Sequence, residues 1–596
     1  MKAKQKYTRI INLIISLLIA AGMFVLFRLL TGFIYLTNDD MYLQAIVSGE
    51  LSGTPDAHMI YSNYILGQIL SLLYRLTPAI PWYGIYLVGV CFVCAWIILY
   101  RCLSECRKIC TKAAVSVLFL ILSFCAIFRH IAMIQYTVVA AIAGGTAVFY
   151  ALTIDIQSDK KQLIREYIVV AALAFVSLII RDKVFFMMVP FAACGWFGKW
   201  ITDKNKSKAK NIRYVVLLAG IVCLMLLVCT ADRLTYLTCS DNTEWQEYFR
   251  YNKAREQIMD YNSFPDYDSN REFYNDLGIS REAYEGVSKY YLTLPQKNLN
   301  SETMPVIADK AITVSRGTQT FREHITDVMQ NFIRCNLNYS DRPMNIVVYG
   351  MWMCLAVTVV LLKNKSMLLQ LLLLFVTRMS MWIFIIRQGR YPDRITQGLY
   401  FVELVMLVAI FILNSKDIAD RGLSKKICMW GAFVIVGVIS LYIGIPKAIA
   451  VKGENAGKLF FGTSYQQLKE YCAGNKDNIY LIDMNSASFF SASIFESVEG
   501  NNGICDNLLP MGSWVNISPL ITDNLKRYGV KDITKDLMDN EHVYFVFKDS
   551  EATPKQYLTD FYRSELEDAN VGLNQTDVLE TDAGIDYVIY RLESIQ

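Results

Sequence analysis

A chain of 596 residues in which 54% of side chains are hydrophobic and only 19% charged is too apolar for a soluble protein, where about a quarter of residues carry charge. Its net charge of +4 is small for that length and offers no basic field for nucleic acid. Mean hydropathy is +0.30, and apolar runs of about 20 residues recur along the sequence, the pattern of a polytopic membrane protein.

The first apolar run extends from Tyr7 to Leu36 behind the basic leader MKAKQKYTR. The leader belongs in the cytoplasm by the positive-inside rule, and the run, with no small-residue cleavage site after it, is expected to stay as an anchor. Asn38-Asp39-Asp40 follows, on the outer face. Two adjacent carboxylates at the lipid boundary suit general-base work or a divalent cation held by Asp39 and Asp40; the alternative is a hydrated helix end with capping acids. Asp56 and His58 lie in the same outer loop. The stretch Met59 to Leu76 is expected to lie along the outer interface, with Tyr61, Tyr64 and Tyr74 at headgroup level and Trp82 and Tyr83 opening the second span.

Further spans are expected near 82–100, 113–130, 132–153, 167–180, 184–200, 214–230, 346–362, 367–386, 396–413 and 427–446. Eleven spans with the N-terminus inside and the C-terminus outside make five loops cytoplasmic, and each is rich in Lys or Arg. Within the spans, Arg378 and Glu403 are candidates for a structural pair. Gln135 and Tyr136, opening span four, suit polar packing or a cavity wall. The fold class is thus an α-helical polytopic membrane protein with a C-terminal extracytoplasmic α/β domain. Residues 1–446 form the transmembrane part, with an outer loop at 37–81 and a large outer insertion at 231–345; residues 447–596 form the second domain.

In the insertion, WQEYFRYNKAREQIMDY and SREAYEGVSKYY read as helices. In the tail, Asn478–Asp483, Val543–Phe547 and DYVIYRL read as strands, while SPLITDNLKRYG and TPKQYLTDFYRSELE read as helices. Most of the 15 cysteines lie in apolar helices as small hydrophobes. Cys239, Cys335, Cys472 and Cys505 fall outside, where pairings of the first two and of the last two are open.

Cations on outer turns run against the orientation rule and call for a reason. They are Arg129 and His130 after span three, Arg181 and Lys183 between spans five and six, and Arg387, Arg390 and Arg394 in RQGRYPDR between spans nine and ten. Arginines at an interface can grip a phosphate through paired hydrogen bonds, or snorkel to phospholipid headgroups. The chain has no GxGxxG, Walker, HExxH or GxSxG motif.

An acidic pair directly after the first span in NDDMYLQAIVSGELSGTPD, the interfacial stretch LGQILSLLYRLTPAIPWY, many further spans and an outer C-terminal domain together resemble the GT-C superfamily of integral-membrane glycosyltransferases. The insertion, in YNKAREQIMDY and DLGISREAYE, looks like that of Gram-positive envelope proteins. The resemblance implies inverting transfer of a sugar from a polyprenyl-phosphate carrier to a glycan, lipid or protein acceptor, on the outer face of a bacterial cell membrane and among its lipids. Asp40 or Asp39 would be the base, with Arg390, Arg394 and Arg181 or Lys183 on the departing phosphate. A divalent cation is the one cofactor it suggests. An envelope polysaccharide polymerase or ligase, or a flippase or transporter, is the alternative reading.

Overall fold

The computed structural model describes residues 2–203, 207–238, 242–294, 296, 298–316, 321–338, 340–415, 423–487, 491–550, 555–568 and 570–594. Among them, eleven helices are long and apolar enough to cross a membrane. They are α1 (Lys2–Leu30), α4 (Trp82–Glu105), α5 (Ile109–Ala126), α7 (Tyr136–Thr153), α8 (Lys160–Ile180), α9 (Asp182–Thr202), α10 (Lys208–Thr238), α16 (Met344–Leu362), α17 (Lys365–Arg387), α18 (Asp393–Leu413) and α19 (Leu423–Gly474).

The bundle is built around α7, whose membrane window is 94% buried, and α18, at 78%, whereas the other windows are half-buried or less. The reason is size. α7 reads TVVAAIAGGTAV, and small side chains let neighbouring backbones approach. A methyl on Gly145 would stand 2.8 Å from the Phe401 ring, and Ser177 on α8 donates its hydroxyl to the Ala140 carbonyl at 2.8 Å. A buried ion pair, Arg378 Nε to Glu403 Oε1 at 2.7 Å, joins α17 to α18 as the sequence suggested. Trp352 and Asn336 supply further bonds to the two partners, so the charges are not left bare.

The first span is shorter than its apolar run. Helix α1 stops at Leu30, and the chain turns through Gly32 into strand β1 (Ile34–Tyr35). That strand pairs in parallel with β2 (Met133–Ile134), which follows the short helix α6 (Phe128–Ala132). The acidic pair therefore opens a new helix, α2 (Asn38–Ser48), rather than ending the first, which corrects the reading of a span to Leu36. Helix α3 (Tyr64–Leu76) follows, within the stretch read as interfacial, with Ile69, Leu72 and Leu76 exposed.

The insertion contains α11 (Asn242–Met259), α12 (Arg271–Asp276), α13 (Arg281–Ser288), α14 (Thr303–Arg316) and α15 (Phe321–Asn336). Helix α19 runs without interruption through residue 446, where the two-domain division was drawn, and delivers the chain to a five-stranded mixed sheet. Its strands are β3 (Ile479–Ile482), β6 (Leu508–Pro510), β7 (Val543–Lys548), β8 (Val571–Leu579) and β9 (Tyr587–Ser594), in the order β6-β3-β7-β9-β8. A separate two-stranded ribbon joins β4 (Glu499–Gly500) to β5 (Gly503–Ile504). Helices α20 (Pro519–Arg527) and α21 (Lys555–Leu566) complete this part. Strands β4, β5, β6 and β8 escaped the sequence reading. Cys472 and Cys505 are buried in one small cluster as free thiols, Cys335 is also free, and Cys239 lies outside the described residues.

The sheet does not hang free. Ile494 N–H donates to Phe33 O at 3.0 Å, Ser491 Oγ to Tyr35 O at 2.5 Å, and Lys469 pairs with Glu50 at 2.5 Å. Asn455, with no exposed surface, donates to Gly32 O at 2.6 Å and to Ala132 O at 3.1 Å, fastening the turn after α1 to the turn before β2. Asn455→Ala leaves the Gly32 and Ala132 carbonyls without their shared donor and is expected to cost about 1–3 kcal/mol. A chemical-denaturation curve in lipid micelles should show the lower midpoint; an unchanged curve would mean that the two strands hold themselves.

Candidate active site

Parts of the chain far apart in sequence meet over the start of α2: the segment around Tyr61, the turn between α8 and α9, helix α11, and residues 511–518 beyond β6. The last segment is fixed by Thr293, whose N–H donates to Met511 O at 2.8 Å and whose Oγ1 donates to Ser513 O at 3.0 Å. It is fixed again by Tyr248, whose hydroxyl donates to Trp514 O at 3.1 Å.

The acidic pair is divided. Asp40 has no exposed surface. Its Oδ1 accepts from Tyr83 Oη and from the Tyr136 N–H, each at 3.0 Å, and its Oδ2 accepts from Thr37 Oγ1 at 3.3 Å. Burial, reinforced by the neighbouring Asp39 charge, pushes its carboxyl up to about 8 although the three bonds pull the other way. Asp39 is half-buried, and its Oδ1 accepts from Trp514 Nε1 at 3.1 Å. The Trp514 ring lies 4.6 Å from Tyr61 and meets Tyr42 edge-on at 5.9 Å, so Asp39 stands beside an aromatic wall. Asp40 was the favoured base on the sequence, yet it is Asp39 that has a surface open to a substrate. The two do not fit a shared divalent cation, because the Asp40 oxygens are taken by protein donors. Among the described residues no group of three or more His, Cys, Asp or Glu side chains is placed to hold a metal.

Arg181 is the nearest of the anticipated cations in electrostatic terms. Its guanidinium lies 5.0 Å from the rings of both Tyr61 and Tyr136, donates to the Tyr136 hydroxyl, and reaches Tyr61 O at 3.4 Å. Burial works against its charge, but the oxygens of Tyr136 and Tyr61 and the carboxylates of Asp182 and Asp39 outweigh it and hold the group above its ordinary value. Tyr61 is anchored in turn by Arg255, which donates to its hydroxyl at 2.9 Å and to that of Tyr290 at 2.8 Å.

Around this centre α11 and the turn after it carry acids that face the basic turns. Lys183 pairs with Glu256 at 2.6 Å and Arg390 with Asp260 at 2.5 Å. Burial would raise the Glu256 carboxyl, but the Lys183 bond and charge, with Arg181 and Arg390, hold it below the usual range. Arg181, Lys183 and Arg390 are thus brought together. Arg129 and His130 are not; they belong to a second cluster in which Arg129 lies 3.7 Å from Asp393, near Asp341 and Lys447. His130 is buried, and burial with the Arg129 charge pushes it down to about 3, so it is neutral. Arg387 is exposed and Arg394 half-buried, with no hydrogen bond or ion pair among the described residues. Asp56 and His58 bind each other at 2.8 Å, and the His58 ring stacks on Trp245 at 4.9 Å.

Trp514 and Arg255 had no signal in the sequence. Trp514 lies 475 positions from the acid it contacts, and Arg255 sits in a helix that reads as a solvated face.

No family model matches the chain, and no curated protein matches it. Among solved structures it is similar to the crystal structure of ArnT from Cupriavidus metallidurans bound to undecaprenyl phosphate, with 10% identity and a TM-score of 0.35 over 96% of this chain and 97% of that one. A score that low decides neither fold nor activity.

The Asp40 carboxyl carries a pH signature. The folded protein keeps a proton that the unfolded chain releases near 3.8, so its contribution to stability is complete below that pH and is lost as pH rises towards 8. Thermal unfolding of the wild type should therefore lose ground from about pH 4 to about pH 8 relative to Asp40→Asn, which does not ionise. Parallel profiles for the two proteins would refute the buried, proton-holding carboxyl.

Proposed function

We propose that the chain is a membrane glycosyltransferase that moves a sugar from a polyprenyl-phosphate carrier to an acceptor hydroxyl, with Asp39 as the general base. The observation that carries this reading is the setting of Asp39: a half-buried carboxylate at the exit of the first span, oriented by Trp514 Nε1, walled by Tyr61 and Tyr42, and within the field of Arg181. The basic leader before α1 supports placing this end of the bundle on the outer face of a bacterial membrane, where lipid-linked sugars meet envelope acceptors.

In the reaction the acceptor oxygen attacks the anomeric carbon as the bond from that carbon to the phosphate oxygen breaks. The hydroxyl proton passes to Asp39, and the polyprenyl phosphate leaves with the electron pair, so the configuration inverts. Arg181 supplies positive charge where the leaving phosphate gains negative charge, and Lys183 and Arg390 line the approach. Asp40 has another part: it holds α2 in place so that Asp39 points at the reaction centre. The closed packing of residues 511–518 over α2 keeps bulk water from competing with the acceptor.

The test is turnover in proteoliposomes given a panel of polyprenyl-phosphate hexoses and pentoses together with envelope glycan acceptors, read as release of polyprenyl phosphate. Asp39→Asn should lower turnover at least about 100-fold, the contribution of a positioned base, without changing the unfolding midpoint by more than a few degrees. Arg181→Gln should reduce it by about 100-fold as well. Full turnover by Asp39→Asn would overturn the assignment of the base.

A further inference from the structure

The insertion ends in α15, which is not among the eleven long apolar helices. Its side chains fall into three rows. Val328, Phe332 and Cys335 pack against the core of the molecule. Ile325, Met329, Ile333 and, just past the helix end, Leu337 are exposed, and a spacing of four residues sets them in one apolar stripe. Thr326, Gln330 and Arg334 are exposed on the next face round. A packed row, an apolar row and a polar row on one helix suit a water–lipid boundary; a helix in water has no use for the second.

The contacts of α15 give its depth. Tyr391, in the turn beyond α17, donates its hydroxyl to Asn331 Oδ1 at 3.2 Å. Next in the chain, Phe332 meets the Trp382 ring edge-on at 6.4 Å, and a turn later Asn336 Oδ1 accepts from Arg378 Nη2 at 2.6 Å. Trp382 and Arg378 lie successively deeper in the span that ends at Arg387. At 1.5 Å per residue Arg378 stands about 13 Å below that end. Helix α15 thus runs down α17, C-terminal end first. Ile383 and Phe384 are exposed on α17 beside Trp382, so the apolar surface of the spans continues at this level.

A helix end at that depth has no water for its last carbonyls, and the protein supplies donors instead. Asn336 O accepts from Tyr349 Oη at 3.1 Å. The Asn345 amide donates to Asn336 O at 3.4 Å and to Asn338 O at 3.3 Å.

We propose that α15 is embedded in the membrane without spanning it, its stripe from Ile325 to Leu337 in contact with the acyl chains of the leaflet at the insertion's end of the bundle. The insertion is then anchored in lipid as well as on the protein, with Arg334 reaching from the flank of the stripe towards the headgroups. A second copy of the chain is a poorer occupant, because a single row of four side chains falls well short of the roughly 800 Å² per partner of a stable interface. The inference rests on the apolar spans and is independent of the transferase reading.

The experiment places the photoreactive residue p-benzoylphenylalanine at Met329, Ile333, Gln330 or Arg334 of the full chain in nanodiscs of palmitoyl-oleoyl-phosphatidylglycerol. All four positions are exposed, so the packed row stays intact. After irradiation, intact-protein mass spectrometry should show a shift of one lipid mass for the replacements at Met329 and Ile333 and none for those at Gln330 and Arg334. The unsubstituted chain gives a second reading: a lipid with a diazirine in its acyl chain should label the tryptic peptide that ends at Arg334. No lipid adduct at Met329 and Ile333, equal adducts at all four positions, a cross-linked dimer, or an unlabelled peptide in the unsubstituted chain overturns the embedded helix.

Discussion

A carboxyl group without access to water must be met by donors from the protein, and the meeting at Asp40 organises this end of the molecule. Its three donors are Tyr83 near the start of α4, the first N–H of α7, and Thr37 before α2. To satisfy one buried acid the chain must therefore bring the exit of α1 against the starts of α4 and α7. The parallel pairing of β1 with β2 achieves the same junction in backbone, with Leu36 N–H donating to Ile134 O at 2.8 Å. Successive residues of a helix point about 100° apart, so fixing Asp40 inward turns Asp39 out towards Trp514. The acids are neighbours in sequence and are kept to different tasks by helix geometry.

The C-terminal sheet then completes a wall that the spans leave open. Its contacts with residues 33–52 come from α19, from 491–494, from 514 and from α20, and each joins positions more than 400 apart in the chain. Contacts so distributed hold the sheet in one position against α2. The insertion locks the far side, since Thr293 and Tyr248 grip the same segment that carries Trp514. A site built this way depends on all three parts of the chain, although only the first contributes an acid to its centre.

How much of this was legible in the sequence follows from the range of the forces. Hydropathy is local, and the eleven long apolar helices, the shorter apolar helix α3 and the main helices of insertion and tail could be read from it. The end of α1 could not: LTGFIYLT is as apolar as the helix before it, and a two-residue parallel strand leaves no period to detect. Gly32 was the one local sign of the turn. Short strands such as β4, β5 and β6 are defined by partners rather than by their own two or three residues. The acidic pair was visible as a pair, but which member would be buried depended on Tyr83 and Tyr136, neither of which announces itself as a carboxylate donor. Trp514 was invisible for the same reason at longer range.

The outer cations show what partners do to a charge. Read in sequence, Arg129, Arg181, Lys183 and Arg390 are equivalent: basic groups on turns where the orientation rule disfavours them. In the structure three of them face carboxylates, Arg129 at Asp393, Lys183 at Glu256 and Arg390 at Asp260. Their charge is largely answered within the protein. Arg181 is held differently, by phenol oxygens and ring faces, which stabilise a guanidinium without neutralising it. Arg387 and Arg394 also lack acidic partners among the described residues, but no contact there joins them to Asp39. Arg181 thus keeps a fixed positive charge beside the accessible Asp39, with Asp182 and Asp39 as its acidic neighbours. Of the three cations gathered around α11, Arg181 is therefore the one not committed to a salt bridge among the described residues.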